Sequence, residues 1–378
     1  MTTQLDGTTV HPPTLPLSGI TVIAIEQAVA APFATVRLAD AGARVIKLER
    51  PEGDFARGYD SSARGQSSYF VWLNRGKESR VVDLTHPEGK AQLAGLLATA
   101  DVLVQNLKPG ALARLGFDAE RLSRDYPRLI AVSISGYGEG GPMSDRKAYD
   151  LLIQADSGLC SITGGPEGPA RVGISIVDIA TGATAYAAIL EALIRRGITG
   201  KGAQISISMF DVMADWLTVP LLSHEAGQTP KRSGLAHPSI APYGVFSCKD
   251  SHPVLISVQS DREWVKLAEL FLHKPELARD ARFATNVARV AHRAETDAEV
   301  AAGFASRTLA EATDAILSAD VAFATVNDMA GLSHHPHLRR ITVQTPNGPV
   351  SYPAPAPIFA NEPRNYGPVP ALPPPSAL

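Results

Sequence analysis

One aspartate stands out by its setting: Asp178, in the run Gly173-Ile-Ser-Ile-Val-Asp-Ile-Ala-Thr-Gly182. It lies between an apolar stretch and a helix that begins with small apolar residues. An Asp there can serve as an N-cap, accepting backbone N–H bonds worth about 1 kcal/mol. It can equally be a reactive carboxylate, held where the helix dipole favours negative charge and offered to an acyl group as a nucleophile. Local sequence leaves both readings open, and the rest of the chain favours the second. Other chemistries find less support. The junction Glu26-Gln-Ala-Val-Ala-Ala-Pro32 after the first expected strand has no glycine, so a nicotinamide-type dinucleotide grip is not expected. Gly138-Glu-Gly-Gly141 is glycine-rich but follows the wrong strand, and no P-loop, H-E-x-x-H or G-x-S-x-G pattern occurs. His334-His335-x-His337 lacks nearby Cys or acidic partners and reads as a solvated turn, so no metal is expected.

Composition narrows the class. The 378 residues are 45% apolar and carry a net charge of −3, which allows a substantial core and gives no electrostatic case for nucleic acid or an anionic membrane surface. No run of 18 apolar residues predicts a membrane span, and residues 1–16, read as an N-terminal tail, lack the apolar region of a signal peptide. Two distant cysteines, Cys160 and Cys248, point to neither disulfide nor zinc, and a cytoplasmic location is expected.

The elements that must position Asp178 alternate. Strands are expected at 20–26, 43–48, 101–105, 129–134 and 203–208, with helices at 31–42, 87–100, 111–115, 119–125, 179–196 and 209–226 between them. This is the pattern of an α/β fold with a largely parallel sheet covered on both faces. Residues 51–77 and 136–148 read as long loops suited to binding. The texture changes after residue 226. Residues 227–242 read as a linker, 243–326 as a small α+β domain with strands at 243–248 and 254–258 and helices at 261–272 and 309–319, and 327–378 as a return to the large domain (17–226), ending in an extended proline-rich tail.

Taken together, several short motifs resemble the class III (CaiB–BaiF) CoA-transferase family. They are Leu17-Ser-Gly-Ile-Thr-Val, Ala31-Pro32, Leu38-Ala-Asp-Ala-Gly-Ala-Arg-Val-Ile-Lys-Leu-Glu-Arg-Pro51, Leu73-Asn-Arg-Gly-Lys-Glu-Ser79, Asp101-Val-Leu-Val-Gln-Asn-Leu-Lys-Pro-Gly110, Ser133-Ile-Ser-Gly-Tyr-Gly138, the Asp178 segment and Gly200-Lys-Gly-Ala-Gln-Ile-Ser-Ile-Ser-Met209. The resemblance implies a Rossmann-like large domain, a small domain and a homodimer of interlocked rings. It places the catalytic carboxylate on Asp178 and puts Val29, Ala30, Arg50, Val82, Asn106, Leu107, Arg114, Lys147 and Tyr149 on positions that contact coenzyme A. It implies an acyl-CoA and a small carboxylic acid as substrates, with Asp178 passing through an anhydride and an aspartyl-CoA thioester and no redox cofactor. Racemases of the same family carry a His where this chain has Tyr149, and a neutral Tyr is a poor base beside His, so transfer is favoured. Asp150 either assists by hydrogen bonding or caps the following helix. Within the family, the segments 26–35 and 53–60 resemble the subgroup acting on small dicarboxylates such as itaconate and mesaconate, with succinyl-CoA as donor. A spare carboxylate needs a cationic anchor, for which Arg57, Arg75, Arg232 and His237 are candidates.

Overall fold

The computed structural model describes residues 15–360 and 362–374. The chain divides into two compact units. The first comprises residues up to Leu159, then Arg171–Val219 and Arg339 onward, and the second comprises Cys160–Ala170 and Pro220–Leu338.

The first unit is built on six strands: β1 (Thr21–Ile25), β2 (Arg44–Glu49), β3 (Lys77–Val81), β4 (Val102–Gln105), β5 (Ile130–Ser135) and β6 (Ala203–Ser208). Every pairing is parallel, in the order β3-β2-β1-β4-β5-β6. Because both faces are covered, the inner strands are continuous apolar runs rather than alternating ones. Val22 and Ala24 of β1 face one core with α1 (Ala30–Asp40) and α8 (Ile176–Thr199). Ile23 and Ile25 face the other, against α3 (Pro87–Leu97), α4 (Ala111–Arg114) and α5 (Ala119–Asp125). Strand order reverses between β1 and β4, which opens a crevice beyond their carboxyl ends. Three short helices, α2 (Ser68–Leu73), α6 (Asp150–Asp156) and α7 (Leu159–Ile162), lie in the stretches read as loops or left unassigned.

By length and composition α8 could cross a membrane, a possibility that a search for unbroken apolar runs does not raise. Here it is a core helix, burying Val177, Ala180, Ala185 and Ile189. Gly182 lets it approach α1 closely, since a Cβ there would meet the Ala30 carbonyl at 2.5 Å and Phe33 Cβ at 2.8 Å.

The expected helix over 209–226 is two, α9 (Met209–Trp216) and α10 (Thr218–Glu225), broken at Leu217. The second unit holds the antiparallel sheet β7 (Tyr243–Ser247), β8 (Pro253–Ser257) and β9 (Ala322–Thr325). It also holds α11 (Asp261–Lys266), α12 (Asn286–Ala291), α13 (Arg293–Ala305), α14 (Leu309–Ser318), which starts with a Thr308–Glu311 capping box, and α15 (Met329–Ser333). Trp264, Phe271, Phe283 and Phe304 fill its core.

Three boundaries differ from expectation. Residues 160–170 join the second unit because Gly234 N–H donates to the Gly164 carbonyl and Arg232 donates to the Ser161 and Gly165 carbonyls. The same bonds make 227–242 part of that unit rather than a free linker. The return begins at Arg339 rather than 327, with the antiparallel pair β10 (Arg340–Val343) and β11 (Val350–Pro353). The proline-rich segment, as far as residue 374, is docked rather than free. Val369 is buried beside Phe70 and Val71, and the Pro368 carbonyl accepts from Gly76 N–H. Residues 1–14 of the expected N-terminal tail lie outside the described residues.

Candidate active site

Beyond the carboxyl ends of β1, β4 and β5 lies an open cleft of about 500 Å³. Asp178 lines it from the first turn of α8, two residues inside the helix, so it is not the N-cap. Ser175 holds the N-cap position without a side-chain cap bond. The capping is done by Asp150, at the start of α6, whose Oδ1 accepts from Val177 N (2.7 Å) and Asp178 N (3.2 Å). Asp150 therefore caps a helix distant in sequence rather than its own, α6, whose N-cap position is Tyr149 without a side-chain cap bond. Its Oδ2 accepts from Gln154 Nε2 at 2.7 Å. Among the described residues nothing donates to the Asp178 carboxylate. Burial and then the negative charge of Asp150 push its carboxyl up to about 7. A partly accessible, unpaired carboxylate with its proton poised near neutrality suits covalent work better than structural work.

The near wall is the loop from β1 into α1. Ala28 adopts a positive φ of 63°, and two groups hold it there. Asn106 accepts from Gln27 N and donates to the Gln27 carbonyl, both at 2.9 Å, and Asp54 Oδ1 accepts from Ala28 N at 3.2 Å. Beneath the loop is a buried ionic cluster. Lys77 Nζ donates to Glu26 Oε1 (2.6 Å) and Asn74 Oδ1 (3.1 Å), and Lys47 Nζ donates to Asp54 Oδ2 (2.8 Å). Burial works against ionised Glu26, but Lys77 and Lys47 overcome it and hold the carboxyl below its usual range. Burial pulls Lys77 down to about 8 despite Glu26. Val29 and Ala30, presented by this loop, line the cleft with Lys147, Tyr149, Asn106 and Leu107. A smaller groove of about 260 Å³ shares Gln27, Leu107 and Lys108 with the cleft and carries Arg50 and Arg114. The two together form a run of cations leading to one bare carboxylate.

Residues 17–374 match the model of CoA-transferase family III. The chain belongs to this family. Among the relatives of this class III CoA-transferase are the acetyl-CoA:oxalate CoA-transferase of Acetobacter aceti, 37% identical over 92% of this chain and 90% of that one, and the succinate–glutarate CoA-transferase of Agrobacterium fabrum, 41% identical over 74% and 72%. The succinyl-CoA:mesaconate CoA-transferase of Haloarcula hispanica is 32% identical over 85% and 83%. Among solved structures, a CaiB/BaiF family protein from Brucella suis superposes with a TM-score of 0.82 at 34% identity, covering 95% of this chain and 97% of that one. The enzyme thus transfers coenzyme A, as the motifs imply, and the relatives include dicarboxylate-type transferases.

Within the class III transferase, five of the sequence-derived positions are placed differently from expectation. Val82 packs in the core with Leu93 and Leu97 and lines neither the cleft nor the groove. Arg75 is buried and forks onto Asp40, donating also to the Trp72 carbonyl, so it is not free to anchor a substrate. Arg57 is held in two hydrogen bonds by Glu49 (2.8 and 2.7 Å) over the Phe70 ring, and is likewise engaged. His237 belongs to the second unit, stacked on Tyr243 and accepting from Ser239 N; it is not among the cleft residues. Arg232 binds the Gly165 and Ser161 carbonyls. The cleft also contains residues that sequence reasoning did not single out: Phe55, Tyr59, Tyr69, Lys108, Arg146 and Arg171. Lys108 stands inside a motif quoted for the family, and Tyr59 inside the 53–60 segment. Burial, Asp54 and Asp178 push the Tyr59 hydroxyl up to about 12, so it remains a protonated donor.

Proposed function

We propose that this enzyme moves coenzyme A from succinyl-CoA to a small dicarboxylic acid, with itaconate and mesaconate as the type of acceptor, through covalent intermediates on Asp178. The observation that carries the reading is the Asp178 carboxylate itself, unpaired and open to a cleft whose cations continue into the adjoining groove. The ionised carboxylate attacks the thioester carbonyl, the C–S bond breaks, and a mixed anhydride forms as CoA thiolate leaves. The thiolate attacks the aspartyl carbonyl of the anhydride, releasing the donor acid and leaving an aspartyl-CoA thioester. The acceptor carboxylate repeats the sequence in reverse. Arg50, Arg114, Lys108 and Lys147 meet the phosphates and the pantetheine arm with charge-assisted bonds, and Val29 and Ala30 border the thioester. The named oxalate, glutarate and mesaconate relatives support an acid acceptor. The absence of any His among the described cleft residues weighs against the racemase alternative. The functional assembly in this reading is a homodimer, supported by apolar residues left exposed on α8 and α9, Ile194, Ile198 and Trp216.

The test is a transfer assay with succinyl-CoA and a panel of itaconate, mesaconate, citramalate, glutarate, oxalate and acetate, with product acyl-CoA identified by mass. Transfer to a dicarboxylate that vanishes in Asp178→Ala and Asp178→Asn is expected. Transfer undiminished in both variants refutes the covalent role of Asp178.

A further inference from the structure

The cations around Asp178 differ in their surroundings. Arg50, Arg114 and Lys108 gather in the groove beside the cleft, at the ends of β1, β2 and β4, where a polyanion would be met. Arg171 is separate. It lines the cleft with Ser175 and Asp178, is exposed, and has no hydrogen-bond or ion-pair partner among the described residues. Arg57 and Arg75, by contrast, are each neutralised by a carboxylate.

The backbone beside Arg171 is nevertheless fixed to the nucleophile. Val172 N donates to Gln154 Oε1 at 2.9 Å, and the buried Gln154 donates through Nε2 to Asp150 Oδ2 at 2.7 Å. Asp150 Oδ1 in turn caps Val177 and Asp178. This relay of two side chains ties the stem of Arg171 to the turn that presents Asp178. Arg171 and Asp178 line one cleft, yet among the described residues no hydrogen bond or ion pair joins the two side chains. The charge thus stands back from the reacting carboxylate. That placement suits an acid with one carboxyl group at Asp178 and a second separated from it by intervening carbons.

We propose that Arg171 is the specificity-determining residue that binds the remote carboxylate of an aliphatic dicarboxylic substrate. This inference rests on transfer through Asp178 and names the substrate class for that site.

The experiment compares glutarate with monomethyl glutarate, an acceptor of nearly the same length without the remote charge, at one fixed saturating succinyl-CoA concentration. The ratio of their kcat/KM values cancels any effect on the donor. The wild-type ratio should exceed about 10, the scale of one charged hydrogen bond. It should collapse towards 1 in Arg171→Gln and recover in part in Arg171→Lys. A wild-type ratio near 1, or a large ratio unchanged in Arg171→Gln, overturns the assignment of Arg171 while leaving transfer itself intact. A folded wild-type enzyme that transfers to no acid overturns the underlying reading of the site, a result visible before any variant is made.

Discussion

Replacing Asp150 by Asn separates its two roles, capping α8 and repelling charge from Asp178. The Asn Oδ1 can still accept from Val177 and Asp178 N–H, so the start of α8 is retained. Its new amide faces Gln154 Nε2, which must turn away. The charge effect can be bounded. The Asp178 carboxyl stands near 7 against an ordinary 3.8, and burial contributes more than Asp150 does. Asp150 thus accounts for less than half of the rise, and its neutralisation lowers the Asp178 pKa by no more than about 1.5, about 2 kcal/mol of proton affinity. The assay is kcat/KM for succinyl-CoA from pH 5 to 9, which reports ionisations of the free enzyme. For the wild type it should rise with pH and level off above about 7, because only the ionised carboxylate attacks. In Asp150→Asn the rising limb should move to lower pH within that bound. A limb that stays near 7, or moves upward, refutes the assignment of this ionisation to Asp178 repelled by Asp150. The linkage to folding has a fixed sign. Because folding raises this pKa, the associated stability is complete below the unfolded value of 3.8 and is lost as pH rises through about 7.

Two further substitutions probe the framework under the cleft. Lys77→Met leaves Glu26 buried with one lysine fewer and should destabilise the fold by about 3–5 kcal/mol in denaturant titration, with partial recovery when Glu26→Gln is added. Gly182→Val drives a side chain into the Ala30 carbonyl and Phe33, so a stability loss of about 1–3 kcal/mol should accompany a raised KM for acyl-CoA as the Val29–Ala30 wall shifts.

Much of the sheet was legible because its inner strands are buried on both faces and show as unbroken apolar runs. Strand β3 was not, since Lys-Glu-Ser-Arg-Val at a sheet edge looks like loop sequence. Helix α13 escaped because its buried positions, Thr296, Val300 and Phe304, stand four apart among alanines and acids, too sparse a stripe to read. Asp178 was legible as a carboxylate at a helix start, and its local sequence left cap and nucleophile open until the motifs of the whole chain favoured the nucleophile. In the structure the capping role falls to Asp150, 28 residues upstream of Asp178. The anchor candidates Arg57 and Arg75 failed for a similar reason. Asp40 lies 35 residues before Arg75, and no local pattern announces that pairing. Arg171 gave the opposite problem, a lone arginine whose significance lies in having no partner among the described residues.

The three-piece construction of the first unit has a consequence for how the protein is made. Its β10–β11 segment and Val369 complete the core around Ala63, Phe70 and Val71, although some 270 residues separate the two sides of that contact in the chain. On the ribosome, the apolar face of α2 emerges long before the residues that cover it, and the entire second unit is synthesised in between. Closure of such distant contacts is slow, and the interval leaves sticky surface exposed. The nascent enzyme should therefore depend on chaperone shielding during elongation, and truncation before Arg339 should yield aggregates even though every residue assigned to chemistry is already present.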